Sequence, residues 1–318
     1  MKTSELSVAV IVPCYNEEAS VATVVKDFHK VLPHASVHVF NNNSSDRTAE
    51  IAEASGAIVH NVKLPGKGNV VRRMFADVDA DVYLMVDGDA TYDAASAPKL
   101  IDTLINSDLD MVVGCRVEDS TDNKNYRPGH RIGNKLLTGS VQKVFNGNFT
   151  DMLSGYRAFS RRFAKSFPAE SKGFETETEL TVFALEMKLP YAEVATPYYE
   201  RPEGSESKLS TYKDGVRILK MIIRLYSNER PSRFWAIVGG ILILVAIILM
   251  IPVYGEYLQT HEVKRFPTLI IASTIALGGF LAFTVGLILR TVTKGRNESK
   301  HLAYLRIPSV RSVINKYE

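Results

Sequence analysis

VAVIVPCYNEE, residues 8–18, is a short unbroken apolar run that stops abruptly in polar residues. Such a run suits a strand buried on both faces, as in a parallel sheet covered by helices. The next residues along the chain read as a helix. Asn16 is placed to cap it, Glu17 and Glu18 complement the dipole of its first turn, and Val21, Val24, Val25, Phe28 and Val31 fall at helical spacing. The unit then repeats, with strands at Val37–Phe40, Ala57–Val62, Asp81–Val86 and Met111–Gly114. Helices are expected from Ser45, through Val70–Val78 and around Ala95–Ile105. This alternation predicts an α/β fold, a mostly parallel sheet of Rossmann-like type with helices on both faces.

Ligands of such sheets sit at the carboxyl ends of the strands. The polar residues gather there: PCYNEE after the first strand, NNNSSD (41–46) after the second, PGKG (65–68) after the third and DGD (87–89) after the fourth. Any one of these is an ordinary turn composition. Four in order, each at a strand exit, point to a binding edge.

Asp87 and Asp89 suit a hard divalent cation, Mg²⁺ or Mn²⁺, which takes a few carboxylate oxygens and completes its shell with phosphate and water. No His/Cys cluster offers zinc ligands. The chain has no GxxxxGK[ST] loop, and no GxGxxG follows the first strand, which disfavours P-loop and dinucleotide-binding chemistry. A cation at Asp87 and Asp89 would bridge a diphosphate and stabilise charge on a departing nucleotide.

Charge is unevenly distributed along the 318 residues. Phe234–Tyr254 and Phe266–Leu289 are charge-free runs of 21 and 24 residues, each long enough to cross a hydrocarbon core of ~30 Å. Lys220, Arg224, Arg230 and Arg233 precede the first run, and seven Lys/Arg from Arg290 to Lys316 follow the second. The connector between the runs carries only Lys264 and Arg265. The asymmetry predicts an integral membrane protein with both termini and the polar domain cytoplasmic. The apolar run Val8–Val12 is too short for a signal peptide. Cys14 and Cys115 read as buried thiols. A net charge of +3 gives no case for nucleic acid as a partner, and the apolar content and two cysteines exclude disorder and a disulfide scaffold. Gly239-Gly240 and Gly278-Gly279 would allow close helix approach, within the hairpin or between subunits of a homo-oligomer.

The ordered set VPCYNEE, NNNSSDRT, GKGNVVRR, DGDATYD, DMLSGYRAFSRR, GFETETEL and RPEGSESKLS, spanning roughly residues 6–215, resembles the metal-dependent family 2 glycosyltransferases of GT-A fold. Its downstream half is most similar to the polyprenyl-phosphate group, of the dolichol-phosphate-mannose-synthase type. The resemblance implies a GT-A catalytic domain at 1–209; the apolar runs and the charges around them predict a juxtamembrane amphipathic helix at 210–232, two transmembrane helices at 233–290 and a basic cytoplasmic tail at 291–318. It implies that Pro13, Tyr15 and Glu17 line the nucleotide, with Asn41 and Asp46 nearby, that Lys67 approaches it, and that Asp87 and Asp89 bridge metal and diphosphate. Two positions depart from the family pattern: Asn41-Asn42 stand where an acidic pair is common, and Thr91 stands where a Gln can assist the metal.

The implied reaction is inverting transfer of a sugar from a nucleotide diphosphosugar, UDP- or GDP-linked, to polyprenyl (undecaprenyl or dolichyl) phosphate. A phosphate monoester has a second pKa of about 6 and is largely dianionic already. Its site needs cations rather than a strong base, and Arg116, Arg131 and Lys208 are the expected acceptor-phosphate ligands. Arg127, Arg157 and Arg201 are further cations of that half. Glu177 in GFETETEL is a candidate for donor-sugar contact, although a Glu-rich helix start is also ordinary dipole complementation. Basic amphipathic segments at Arg131–Phe145 and Val216–Leu225 suit contact with membrane lipids. Two alternatives remain. A membrane polysaccharide synthase would, by resemblance, carry QxxRW, whereas the single Trp235 follows Ser232, Arg233 and Phe234. A non-catalytic membrane adaptor with a degenerate sugar-nucleotide site is opposed by the intact DGD, SGYR and SKLS segments.

Overall fold

The computed structural model describes residues 6–117, 139, 142, 147–171, 173, 175–201, 220, 223–224 and 226–317. Seven strands form one sheet: β1 Val8–Cys14, β2 Ser36–Asn41, β3 Ile58–Asn61, β4 Val82–Met85, β5 Met111–Val117, β6 Arg157–Ser160 and β7 Tyr191–Pro197, in the order β3-β2-β1-β4-β6-β5-β7. All neighbours are parallel except β6, which runs antiparallel to both β4 and β5. The sheet is thus the mostly parallel one expected, with an antiparallel strand at RAFS and a parallel edge strand β7 that the sequence pattern did not announce. β6 is buried at all four positions, so it offers no alternation to read.

Helices cover both faces. On one side α1 Val21–Val31 touches α2 Thr48–Ala54 and α4 Ala97–Asn106. Elsewhere α3 Lys67–Asp77 touches α5 Arg161–Ser166 and α6 Thr176–Glu186. α1 buries Val21, Val24, Val25 and Phe28, the positions read from its spacing, each contributing about 1.5–3 kcal/mol of transfer free energy. Asn16 is not its cap. Asn16 sits in the left-handed region at φ 55°, and a turn follows in which Val21 N–H donates to the Glu17 carbonyl at 2.9 Å, so the helix starts five residues later. The acidic pair therefore lies outside the first helical turn.

The chain divides into two compact units, residues 1–218 with 300–318, and residues 219–299. Residues 300–317, read from sequence as part of a basic tail, pack within the α/β unit. Tyr304 Oη donates to Asp110 Oδ2 at 2.7 Å, and Arg162 lies 4.7 Å from the Tyr304 ring centre. Asp110 is fully buried and also accepts from Ser160 Oγ at 2.7 Å and Arg162 Nε at 2.6 Å. α9 Val310–Tyr317 buries Val310 in the core, with Val313 and Ile314 against the same cluster.

The second unit holds two long apolar helices, α7 Pro231–Thr260 and the greater part of α8 Phe266–Leu305. At 30 residues, α7 is about 45 Å long, enough to cross a bilayer. Only 17% of its most apolar stretch is buried within the protein, as suits side chains solvated by lipid rather than by a core. The two helices meet at glycines: a Cβ at Gly239 would lie 2.9 Å from the Gly279 carbonyl oxygen. Gly240 meets nothing within 4 Å, so one glycine of the first pair serves the hairpin and the other faces outward.

Candidate active site

The parallel strands β1, β2 and β4 end at one edge of the sheet, and the polar exits meet there. Lys67, the first residue of α3, extends its Nζ to 2.5 Å from Asp87 Oδ1 and 2.5 Å from Glu177 Oε1. Asp89 Oδ2 is paired with Arg201 at 2.7 Å and its Oδ1 accepts from the Thr91 hydroxyl at 2.6 Å. Lys67, Asp87 and Glu177, named separately from sequence, thus meet, and the neighbouring Asp89 pairs with Arg201. Two cations face three carboxylates there, a net charge of −1.

Glycines make this approach feasible. Gly66, at φ 113°, gives α3 an entry few side chains adopt. A Cβ on Gly155 of the SGYR segment would collide with the Asp87 carboxylate, and one on Gly88 with Cys14 Sγ. Burial raises the Asp89 pKa and the nearby Asp87 charge adds to this, while Thr91 and Arg201 pull the other way. Burial alone would lower Lys67, but Asp87 and Glu177 outweigh it and hold the ammonium charged. Burial also lifts both thiols, Cys115 to about 12, in keeping with inert cysteines.

Among the described residues, no group of three or more His, Cys, Asp and Glu gathers in metal-holding geometry. Asp87 and Asp89 fit a cation that takes one or two protein carboxylates and completes its shell with phosphate and water. Thr91, at the position of the assisting Gln, is buried and orients Asp89.

The exits of β1 and β2 are braced differently. Asn16 Oδ1 accepts from Ser45 N–H at 2.8 Å, and Glu17 N–H donates to Thr48 Oγ1 at 2.9 Å. Asp46, expected near the nucleotide, receives Thr48 N–H at 3.0 Å and Glu18 N–H at 3.2 Å. Burial works against its ionisation, but these hydrogen bonds prevail and lower its pKa. Asn41 accepts from Ser44 N–H and donates to Asn61 at 2.9 Å. Pro13 lies in β1 opposite Phe40, and Tyr15 projects from the edge, 47% exposed. Asn42, noted from sequence only as a departure from the family pattern, is buried and staples the β3 exit: its Nδ2 donates to the carbonyls of Val62 and Leu64, and its Oδ1 accepts from Gly66 N–H at 2.8 Å.

The basic residues separate by burial. Arg116 makes a two-pronged pair with Asp151, both contacts 2.7 Å, and lies 5.4 Å from the Tyr198 ring centre. Asp151 is held ionised by Arg116 against the opposing effect of burial. Arg157, read as a cation for the acceptor, is fully buried instead. Its guanidinium donates to the Ser154 carbonyl at 2.8 Å, the Met152 carbonyl at 2.5 Å and Thr181 Oγ1 at 2.9 Å, fixing the loop that carries Gly155. No local spacing signals this, because the strand that encloses it was itself not announced by the sequence pattern. Arg127, Arg131 and Lys208, and most of the amphipathic segments 131–145 and 216–225, lie outside the described residues.

The family model for glycosyl transferase family 2 matches residues 9–167. The chain is 35% identical over 239 residues to glycosyltransferase AglJ of Haloferax volcanii, covering 73% of this chain and 76% of that protein. It is 30% identical to the dolichyl-phosphate hexose transferase of the same organism, covering 70% of this chain and 95% of the relative. Among solved structures, glucosyl-3-phosphoglycerate synthase from Mycobacterium tuberculosis, in complex with Mn²⁺, UDP and phosphoglyceric acid, superposes with a TM-score of 0.55. It shares 21% identity over 70% of this chain and 78% of the other.

Proposed function

The chain belongs to glycosyl transferase family 2, and from that premise we propose that it moves one sugar from a UDP- or GDP-linked donor to polyprenyl phosphate at the cytoplasmic membrane face, with inversion. The observation that carries this reading is the cluster at the β4 exit, where Asp87 and Asp89 each face a cationic side chain. A diphosphate would find Lys67 at the start of α3, where helix N–H groups also favour anions. A polyprenyl-phosphate acceptor is supported by the dolichyl-phosphate hexose transferase relative and by the two helices long enough to reach such a lipid.

Asp87 and Asp89 would hold Mg²⁺ or Mn²⁺, which would stabilise charge on the departing diphosphate. The lipid phosphate oxygen attacks the anomeric carbon in line, and that carbon's bond to the diphosphate oxygen breaks. The dianionic phosphate surrenders no proton, so no general base is required. Arg116, with Arg131 and Lys208, holds the acceptor phosphate, and Asp151 keeps the Arg116 guanidinium aimed. Glu177 holds Lys67 and would contact the donor sugar.

Purified protein incubated with radiolabelled UDP- and GDP-sugars, polyprenyl phosphate and Mn²⁺ tests this. A chloroform-soluble monosaccharide product is expected. A long polymer would indicate a synthase, and absence of turnover with every donor would indicate an adaptor.

A further inference from the structure

Lys67 stands where a lysine is locally unfavourable. A cation in the first turn of a helix opposes the macrodipole, yet this one opens α3 with its side chain only 13% exposed. The surroundings aim it. Asn42 fixes the carbonyls of Val62 and Leu64 and the N–H of Gly66, and the α-carbon of Gly68 packs so closely on the Ser171 carbonyl that a Cβ would clash. The ammonium is thereby held on Asp87, a carboxylate proposed to ligate the metal, with Glu177 as its second partner, 6% exposed. Arg201, which pairs with Asp89, has a side chain 35% exposed and can turn toward water, whereas Lys67 cannot.

We propose that Lys67 is a tethered counter-ion that occupies Asp87 until metal and nucleotide arrive together, so that neither binds well alone. The proposal rests on the metal assignment above and extends it to the order of binding. A divalent cation on Asp87 competes with the ammonium, because two positive charges on one carboxylate repel, and it weakens or breaks that contact. Glu177 alone then retains Lys67, and a diphosphate supplies the partner it has lost. Nucleotide therefore raises metal affinity, and by linkage metal raises nucleotide affinity by the same factor.

Titration of the full chain in detergent with Mn²⁺, read by the electron paramagnetic resonance of the free ion, decides the matter without turnover. Lys67→Met is expected to tighten Mn²⁺ binding in the absence of nucleotide by on the order of tenfold, and to shrink the further gain given by UDP or GDP. Glu177→Gln should act oppositely, weakening Mn²⁺ binding severalfold, because Lys67 is then left to Asp87 alone. Equal or weaker Mn²⁺ binding in folded Lys67→Met overturns the proposal. If that variant does not fold, unchanged or tighter binding in Glu177→Gln overturns it instead. Asp87→Asn separates the two levels. Loss of Mn²⁺ binding there with no effect of Lys67→Met sinks only the counter-ion role. Wild-type Mn²⁺ binding in Asp87→Asn removes the metal assignment, and this proposal with it.

Discussion

The exits of β1 and β2 and the exit of β4 look alike as sequence, each a short polar run after an apolar strand, but they are satisfied in opposite ways. At the first two, the side chains of Asn16, Asp46 and Asn42 hold backbone groups of neighbouring loops. At the third, Asp87, Asp89 and Glu177 are held by the side-chain charges of Lys67 and Arg201. A backbone N–H is fixed in place by the chain, so these contacts brace one loop against another. A side-chain cation can exchange one anion for another, so the β4 cluster can reorganise around a ligand. The difference between brace and candidate site therefore lies in what a polar residue is bonded to, more than in which residue it is.

Four substitutions press on this distinction. Asp89→Ala removes a carboxylate from the exchangeable cluster and should cost at least about 100-fold in sugar transfer while the thermal midpoint changes little, read by product formation beside differential scanning fluorimetry. Loss of folding with retained specific activity would place Asp89 among the braces. Arg157→Met should do the reverse of the Asp89 change, destabilising by about 3–5 kcal/mol in denaturant melts because several buried acceptors lose their donor. Asn42→Ala leaves Gly66 N–H and two carbonyls unsatisfied and should cost about 2 kcal/mol, together with a raised donor KM from a misplaced Lys67. Asp46→Asn should have the smallest effect and a pH signature. The Asp46 pKa is lower folded than unfolded, so its contribution is present above the ordinary carboxylate value and disappears as pH falls through the folded one. The variant should match wild type at acid pH and fall below it near neutrality in urea titrations. A constant deficit at all pH values would mean that the carboxylate charge is immaterial.

The repeating strands and helices, and the sheet edge where their polar exits meet, were legible because strand ends follow from local apolar spacing. Asp87, Asp89 and Lys67 were legible as single motif residues, but their union with Glu177 joins segments 110 residues apart in sequence, beyond the reach of any spacing rule. Arg157 misled because a lone arginine in a polar motif looks solvated. Only the sheet shows it to be enclosed on all sides. Asn16 misled for a conformational reason: Asn tolerates the left-handed region, and here that property outweighs its capping tendency. The packing of Val310, Val313 and Ile314 was present as a helical pattern in VRSVINKY, but its surroundings read as a charged tail.

That packing bears on how the molecule is made. The α/β unit comprises residues that precede and follow the two apolar helices in sequence, so Tyr304 and α9 leave the ribosome after those helices have been translated. At ~5–20 residues per second, the roughly 80 residues between the two halves occupy about 4–16 s. Throughout that interval Asp110 lacks one of its partners and the apolar seat of Val310 stands uncovered. The α/β unit therefore stays incomplete until residues 300–317 have been translated and have packed against it.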